Sequence, residues 1–177
     1  MLKIIVTGPE SSGKTTLCKA LSEHFKIPFA EESAREYLDV LSGDYNQEDL
    51  LEIAKGQLEN EQTTTNKHQL SLYDTDLITI KIWSKYKYGS CDKWILNQIE
   101  KQKSENRFYL LCSPDIPWQA DPQRENPNDR EEFFEIYKKE IGSLGHDYFI
   151  VEGENRIENS IKIVDEIKLN KYQCRKK

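Results

Sequence analysis

The sequence predicts an α/β fold: a three-layer sandwich with a five-stranded parallel sheet between two layers of helices. Three observations carry this expectation. Short β-branched or apolar runs alternate with segments of helical period along the whole chain. That alternation implies parallel strands joined by right-handed crossovers. The first strand also runs straight into a glycine-bounded loop and then a helix.

Leu2 to Val6 is a β-branched run that reads as a buried strand, and the turn Gly8 to Gly13 follows it. From Lys14 to Phe25 the apolar residues Leu17, Cys18, Leu21 and Phe25 recur at helical spacing. Ile27 to Ala30 reads as a second strand ending at Glu31-Glu32, and Ala34 to Leu41 as a helix. Gly43 to Asn46 is a turn before a long polar helix from Gln47 to about Asn66. Gln69 to Asp74 is a third strand ending in a carboxylate. Leu77 to Tyr88 is helical, with Gly89 as its cap. Lys93 to about Lys101 is a shorter helix, and Arg107 to Cys112 a fourth strand.

Ser113 to Asp129 shows no period and holds four of the six prolines. A loop of that length between ordered elements is usually functional or disordered. Arg130 to Ile141 is helical, Asp147 to Val151 a fifth strand, and Glu154 to Lys168 an amphipathic final helix. Lys171 to Lys177 reads as a solvated basic tail.

The chain of 177 residues, 37% hydrophobic and 32% charged, is expected to form a single domain over residues 1–177, with a lid over about 113–130. A net charge of −6 argues against general nucleic-acid binding but leaves room for a local phosphate site. Cys18, Cys91, Cys112 and Cys174 form no C-x-x-C pair, and Cys18 and Cys112 read as small buried hydrophobes. No segment approaches a membrane span, so no membrane partner and a cytoplasmic location are expected. A homo-oligomer is compatible with the sequence.

Gly8-Pro9-Glu10-Ser11-Ser12-Gly13-Lys14-Thr15 is a phosphate cradle. Its glycines let successive amides turn toward one point, and the following helix adds its positive end. Lys14 would reach the β- and γ-phosphates of ATP, and Thr15 would offer a hydroxyl to Mg²⁺; Thr16 continues the wall. The motif lies between a strand and a helix, as it requires.

A cradle does not name a reaction. A GTPase should carry N-K-x-D, but Asn66-Lys67-His68 is followed by Gln69. An ATPase motor wants a strand ending in Asp-Glu, and here Asp74 is followed by Thr75. A kinase needs a lid with arginines and a carboxylate near the acceptor hydroxyl. Arg124 and Arg130 in or beside the 113–130 segment suit the first need. Glu31, Glu32, Asp74 and Asp76 end two strands, where α/β sheets bind ligands. Metal binding through water, proton abstraction, ribose binding and orientation of Arg35 are all open to them. Trp118 and Tyr37 are candidates for stacking on an acceptor ring, while Trp83 reads as core.

These residues resemble the ribosylnicotinamide kinase domain of bifunctional bacterial NAD-salvage regulators. The P-loop above is followed by Glu32-Ser33-Ala34-Arg35-Glu36-Tyr37, by Asp74-Thr75-Asp76-Leu77-Ile78-Thr79-Ile80 and by Pro117-Trp118-Gln119-Ala120-Asp121-Pro122-Gln123-Arg124. Asp129-Arg130 matches the end of that family's lid. Ile80 stands where the family has a second threonine, and Pro122 where it often has glycine. The resemblance implies phosphorylation of nicotinamide riboside by ATP·Mg²⁺. It places Lys14, Glu32, Asp76, Arg124 and Arg130 in the chemistry, Thr15 and Asp74 at the metal, and Arg35, Tyr37, Trp118 and Asp121 around the acceptor. Either Glu32 or Asp76 would take the hydroxyl proton. His24, His68 and His146 form no H-x-G-H adenylyltransferase motif, so a kinase alone is expected. A kinase of another small alcohol and a non-catalytic ATP-binding module are the alternatives.

Overall fold

The computed structural model describes residues 1–41, 44–64 and 70–174. Five strands, β1 (Leu2–Thr7), β2 (Phe29–Ala30), β3 (Leu70–Asp74), β4 (Arg107–Cys112) and β5 (Asp147–Val151), form one all-parallel sheet in the order β2-β3-β1-β4-β5. The helices are α1 (Lys14–Phe25), α2 (Ser33–Val40), α3 (Gln47–Thr64), α4 (Leu77–Tyr88), α5 (Lys93–Gln102), α6 (Arg130–Ser143) and α7 (Arg156–Cys174).

Both faces of the sheet are covered, which is why its strands read as unbroken apolar runs. Side chains alternate between faces along each strand. Leu2, Ile4 and Val6 of β1, with Leu70, Leu72, Leu110 and Cys112, pack against Leu17, Cys18 and Leu21 of α1 and Val164 of α7. Ile5, Tyr73, Tyr109 and Leu111 point the other way, onto Ile78 and Ile82 of α4 and Phe133, Phe134, Tyr137 and Ile141 of α6. A third cluster joins α2, α3, α4 and α5 through Ala34, Leu50, Ile53, Ala54, Leu77, Ile80, Ile95 and Ile99.

Most expected elements appear within a residue or two. The second strand is shorter than expected, two residues instead of four. The final helix runs on to Cys174, through part of what reads as a tail, because nothing before Cys174 stops it. Gly43, Asn66, Lys67, His68 and Gln69 lie outside the described residues. Among the described residues no helix is long and apolar enough to cross a membrane.

Candidate active site

The loop between β1 and α1 closes at the carboxyl end of the central strand. Gly8 has φ +137°, and a Cβ there would stand 2.5 Å from the carbonyl oxygen of Cys112, so this position admits only glycine without displacing β4. Gly13 is left-handed at φ +82° and directly precedes α1. The Ser12 hydroxyl donates to the Pro9 carbonyl at 2.7 Å and holds the loop's curl. The Lys14 Nζ donates back to the Gly8 and Pro9 carbonyls at 3.0 and 2.8 Å. The ammonium thus lies over the mouth of the cradle.

Asp74 ends β3 on the α1 side of the sheet, as the alternation after Leu70 and Leu72 dictates. Its Oδ2 accepts the Thr15 hydroxyl at 2.7 Å. Its Oδ1 is buried with no hydrogen-bond partner among the described residues. An unpartnered buried carboxylate oxygen is costly, and one beside a P-loop threonine suits a hard cation or its water. Burial raises the Asp74 carboxyl above its ordinary range, against the pull of Lys14 and the Thr15 hydrogen bond. No group of three or more His, Cys, Asp or Glu that could hold a metal occurs among the described residues. Magnesium at Thr15 and Asp74 would therefore take most of its ligands from phosphate and water.

Glu32 caps α2 by position, but its side chain makes no cap hydrogen bond. It lines a cavity of about 180 Å³ together with Ser11 to Thr16, Arg35, Trp83 and Arg124. Burial pushes its carboxyl upward, Lys14 opposes that, and Asp74 adds to it.

Asp76 does not join Glu32. Thr75 is left-handed at φ +65°, which breaks the strand's alternation and sends Asp76 to the opposite face. There Asp76 is fully buried. It accepts from the Ile78 amide at 3.0 Å, the Tyr109 hydroxyl at 2.7 Å and Arg107 Nη1 at 3.2 Å. Every polar contact it makes is structural, so of the two carboxylates considered for the proton only Glu32 faces the cradle.

The 113–129 segment crosses the cradle and is pinned to it. Ser11, left-handed at φ +54°, is the anchor. Its hydroxyl oxygen accepts the Gln119 amide at 2.8 Å and Arg124 Nη1 at 3.3 Å, and its carbonyl accepts Arg130 Nη1 at 3.2 Å. Glu10 Oε2 accepts the amides of Glu125 and Asn126, both at 3.1 Å. Glu10 and Ser11, expected to serve the phosphates, therefore also tie down the crossing segment. Arg124 reaches the cavity; Arg130 instead donates to the Ile116 carbonyl and packs its guanidinium 5.8 Å from the Trp118 ring.

Two acceptor candidates lie elsewhere than expected, and a third keeps to the cavity. Trp118 is against Arg130, outside the cavity lining. Tyr37 packs toward α3 and donates its hydroxyl to Asp49 at 2.8 Å. Arg35 lines the cavity but spends one nitrogen on Asp121 Oδ2 at 3.2 Å instead of on the strand-end acids. Asp121 also accepts the Gln123 amide at 3.0 Å.

Sequence reading missed Trp83, Tyr45 and Arg156. Trp83 borders the cradle cavity and a second cavity of about 220 Å³, which it shares with Glu10, Leu38 and Gln123. Tyr45, Tyr86, Phe133, Lys87 and Glu125 complete that second compartment. Lys87 Nζ sits 3.6 Å from the Tyr45 ring centroid and 3.0 Å from Glu125 Oε1. Arg156, at the start of α7, donates to the carbonyls of Ser113 and Val151 and lies 3.6 Å from where a Gly13 Cβ would be. The apolar period of α4 marks Trp83 only as core, and no period marks Tyr45 or Arg156.

A strand, a glycine-bounded cradle, a helix and an arginine-bearing crossing segment over a 2-3-1-4-5 parallel sheet define a nucleotide-binding protein with the fold of P-loop kinases. The chain belongs to the AAA domain family AAA_28, whose model matches residues 3–158. No curated protein sequence matches the chain. Among solved structures, a NadR protein in complex with NR is 25% identical, with TM-score 0.73, covering 93% of this chain and 51% of that one. A NadR protein in complex with NAD and AMP-PNP is 22% identical, with TM-score 0.65, covering 93% and 49%. The chain thus spans about half the length of these NadR chains. The shikimate kinase of Acinetobacter baumannii, 15% identical with TM-score 0.59, shares the fold over 97% of this chain and 95% of its own. The resemblance drawn from the motifs holds in three dimensions.

Proposed function

We propose that this chain transfers the γ-phosphoryl group of ATP to the primary hydroxyl of nicotinamide riboside, giving the mononucleotide for NAD salvage. One observation carries the reading. A polar cavity over the P-loop adjoins an aromatic compartment through a common wall of Glu10, Leu38, Trp83 and Gln123. A donor triphosphate and a flat-ringed alcohol need two such neighbouring chambers. Nicotinamide riboside carries a positive pyridinium ring. Aromatic faces and carboxylates attract such a ring, and Trp83 and Glu10 supply both, while Lys87 already covers Tyr45 and pairs with Glu125. The NadR complex with NR supports the choice of riboside.

In this reading the P-loop amides and Lys14 bind the triphosphate, and Thr15 and Asp74 would hold magnesium, which neutralises phosphate charge. Glu32 takes the proton of the acceptor hydroxyl; its raised pKa brings it closer to neutral pH and makes it the stronger base. Arg124 grips oxygens of the transferring group. Residues 113–130 act as a lid that excludes water, and the 1–177 chain works as one catalytic unit.

The test is ATP consumption against a panel of ribosides and shikimate. Turnover fastest with nicotinamide riboside is expected. ATP binding with no consumption in the presence of any alcohol would instead make this a non-catalytic module. Trp83→Ala should raise the riboside KM by roughly tenfold, since loss of ring stacking is worth about 1–3 kcal/mol. The KM for ATP should change by less than about twofold, because the P-loop amides and Lys14, not the indole ring, would hold the triphosphate. An ATP effect as large as the riboside effect would remove Trp83 from the acceptor wall.

A further inference from the structure

Helix α3 carries a glutamine that the chemistry above leaves unused. Gln57 is only 1% exposed. Its Oε1 accepts the amide of Ser33 at 2.9 Å, the first residue of α2. Its Nε2 lies 3.5 Å from the carbonyls of Asp74 and of Thr75, the left-handed residue that parts the two aspartates. One side chain therefore touches both junctions that carry carboxylates beside the cradle, β2–α2 and β3–α4.

The geometry has a consequence for Glu32. A side chain at the N-cap normally accepts from the second or third amide of its helix. Glu32 occupies that position and does not cap. The first amide, that of Ser33, is held by Gln57 from another helix. Gly56 lies against the same residue: a Cβ added there would stand 3.4 Å from the Ser33 hydroxyl oxygen, an ordinary contact. Asn60, one turn along, donates to the same hydroxyl oxygen at 2.9 Å.

We propose that Gln57 is a positioning residue that ties the start of α2 to the end of β3 and so holds the Glu32 carboxylate toward the P-loop cavity. The proposal rests on the assignment of Glu32 as the base. Without Gln57 the Ser33 amide loses its acceptor and the β2–α2 junction loses its tie to the Asp74 and Thr75 carbonyls. A carboxylate displaced with that junction cannot take a proton from an alcohol in the cavity.

Gln57→Met keeps the volume and removes both contacts, while Gln57→Glu keeps an acceptor for Ser33. In Gln57→Met the Ser33 amide should lose hydrogen-exchange protection, and kcat should fall about tenfold or more, with the KM for MgATP within about twofold. Gln57→Glu should keep the protection, though it loses the donor to the Asp74 and Thr75 carbonyls. The decisive comparison is the double variant: Glu32→Gln with Gln57→Met should be no slower than Glu32→Gln alone, because both act on one carboxylate. Multiplying effects, or unchanged Ser33 protection in Gln57→Met, overturns the proposal. Should Gln57→Met not fold, Gln57→Glu decides: loss of Ser33 protection with kcat unchanged in that variant overturns it. Wild-type kcat in Glu32→Gln alone overturns the base assignment itself, a different result from multiplying effects on a slow Glu32→Gln background.

Discussion

Lys14→Ala should lower phosphoryl transfer by about a thousandfold or more while the protein stays folded, since one preorganised charge on a transferring phosphate is worth several kcal/mol. The structure separates the two effects. In the free protein Lys14 donates only to the Gly8 and Pro9 carbonyls, both at the mouth of the loop. Water can replace those contacts, so the stability loss should be about 1 kcal/mol or less. Thermal unfolding and single-turnover transfer on the same preparation check both halves. Retained turnover would refute the role of Lys14. A large drop in Tm with proportionate loss of turnover would make the lysine a brace for the loop instead of a ligand for phosphate.

Much of the fold is legible in the residues, because period and punctuation carry it. β1 and β4 read as strands since both faces of the sheet are buried, and Gly89 marks the end of α4 through its left-handed φ of +71°. The short β2 is less legible: Phe29 and Ala30 pair only with Leu72 and Tyr73, and Pro28 lacks the amide that would extend the ladder.

The site divides along the same line. The P-loop, Thr15 and Asp74 are legible because they depend on local sequence and on strand alternation. Asp76 is not, because one left-handed residue, Thr75, reverses its face, and threonine gives no warning of a positive φ. Trp83 misleads for the opposite reason. It continues the apolar stripe of α4 and does pack against the cluster that holds Ile80, yet it also lines both cavities. Tyr45 and Lys87 meet across elements more than forty residues apart, a pairing that no local pattern encodes. Gln57 is hidden in the same way, as a polar residue on a polar helix whose partners come from two other connections.

The burial of Asp76 away from the cradle carries its own expected result. Arg107 has a side chain with no exposed surface, and it meets Glu61 Oε2 at 2.6 Å, Glu105 Oε2 at 2.8 Å and Asp76 Oδ2 at 3.2 Å. Burial works against its charge, but Glu61, Tyr109 and Asp76 outweigh that and hold the guanidinium well above its ordinary pKa. Arg107→Met leaves the carboxylates of Glu61 and Asp76 buried without their cation. Breaking one side of such a network costs about 3–5 kcal/mol, which for a chain of this size lowers Tm by roughly 10 °C. Neutralising the acids as well, in Arg107→Met with Glu61→Gln and Asp76→Asn, should recover most of that loss, since the penalty lies in the stranded charges and not in the missing arginine. Asp76→Asn alone should change kcat by less than about threefold below its melting temperature, against the hundredfold or more expected for a lost base. A kcat collapse in Asp76→Asn with an unchanged Tm would return Asp76 to the catalytic centre and displace Glu32 from it.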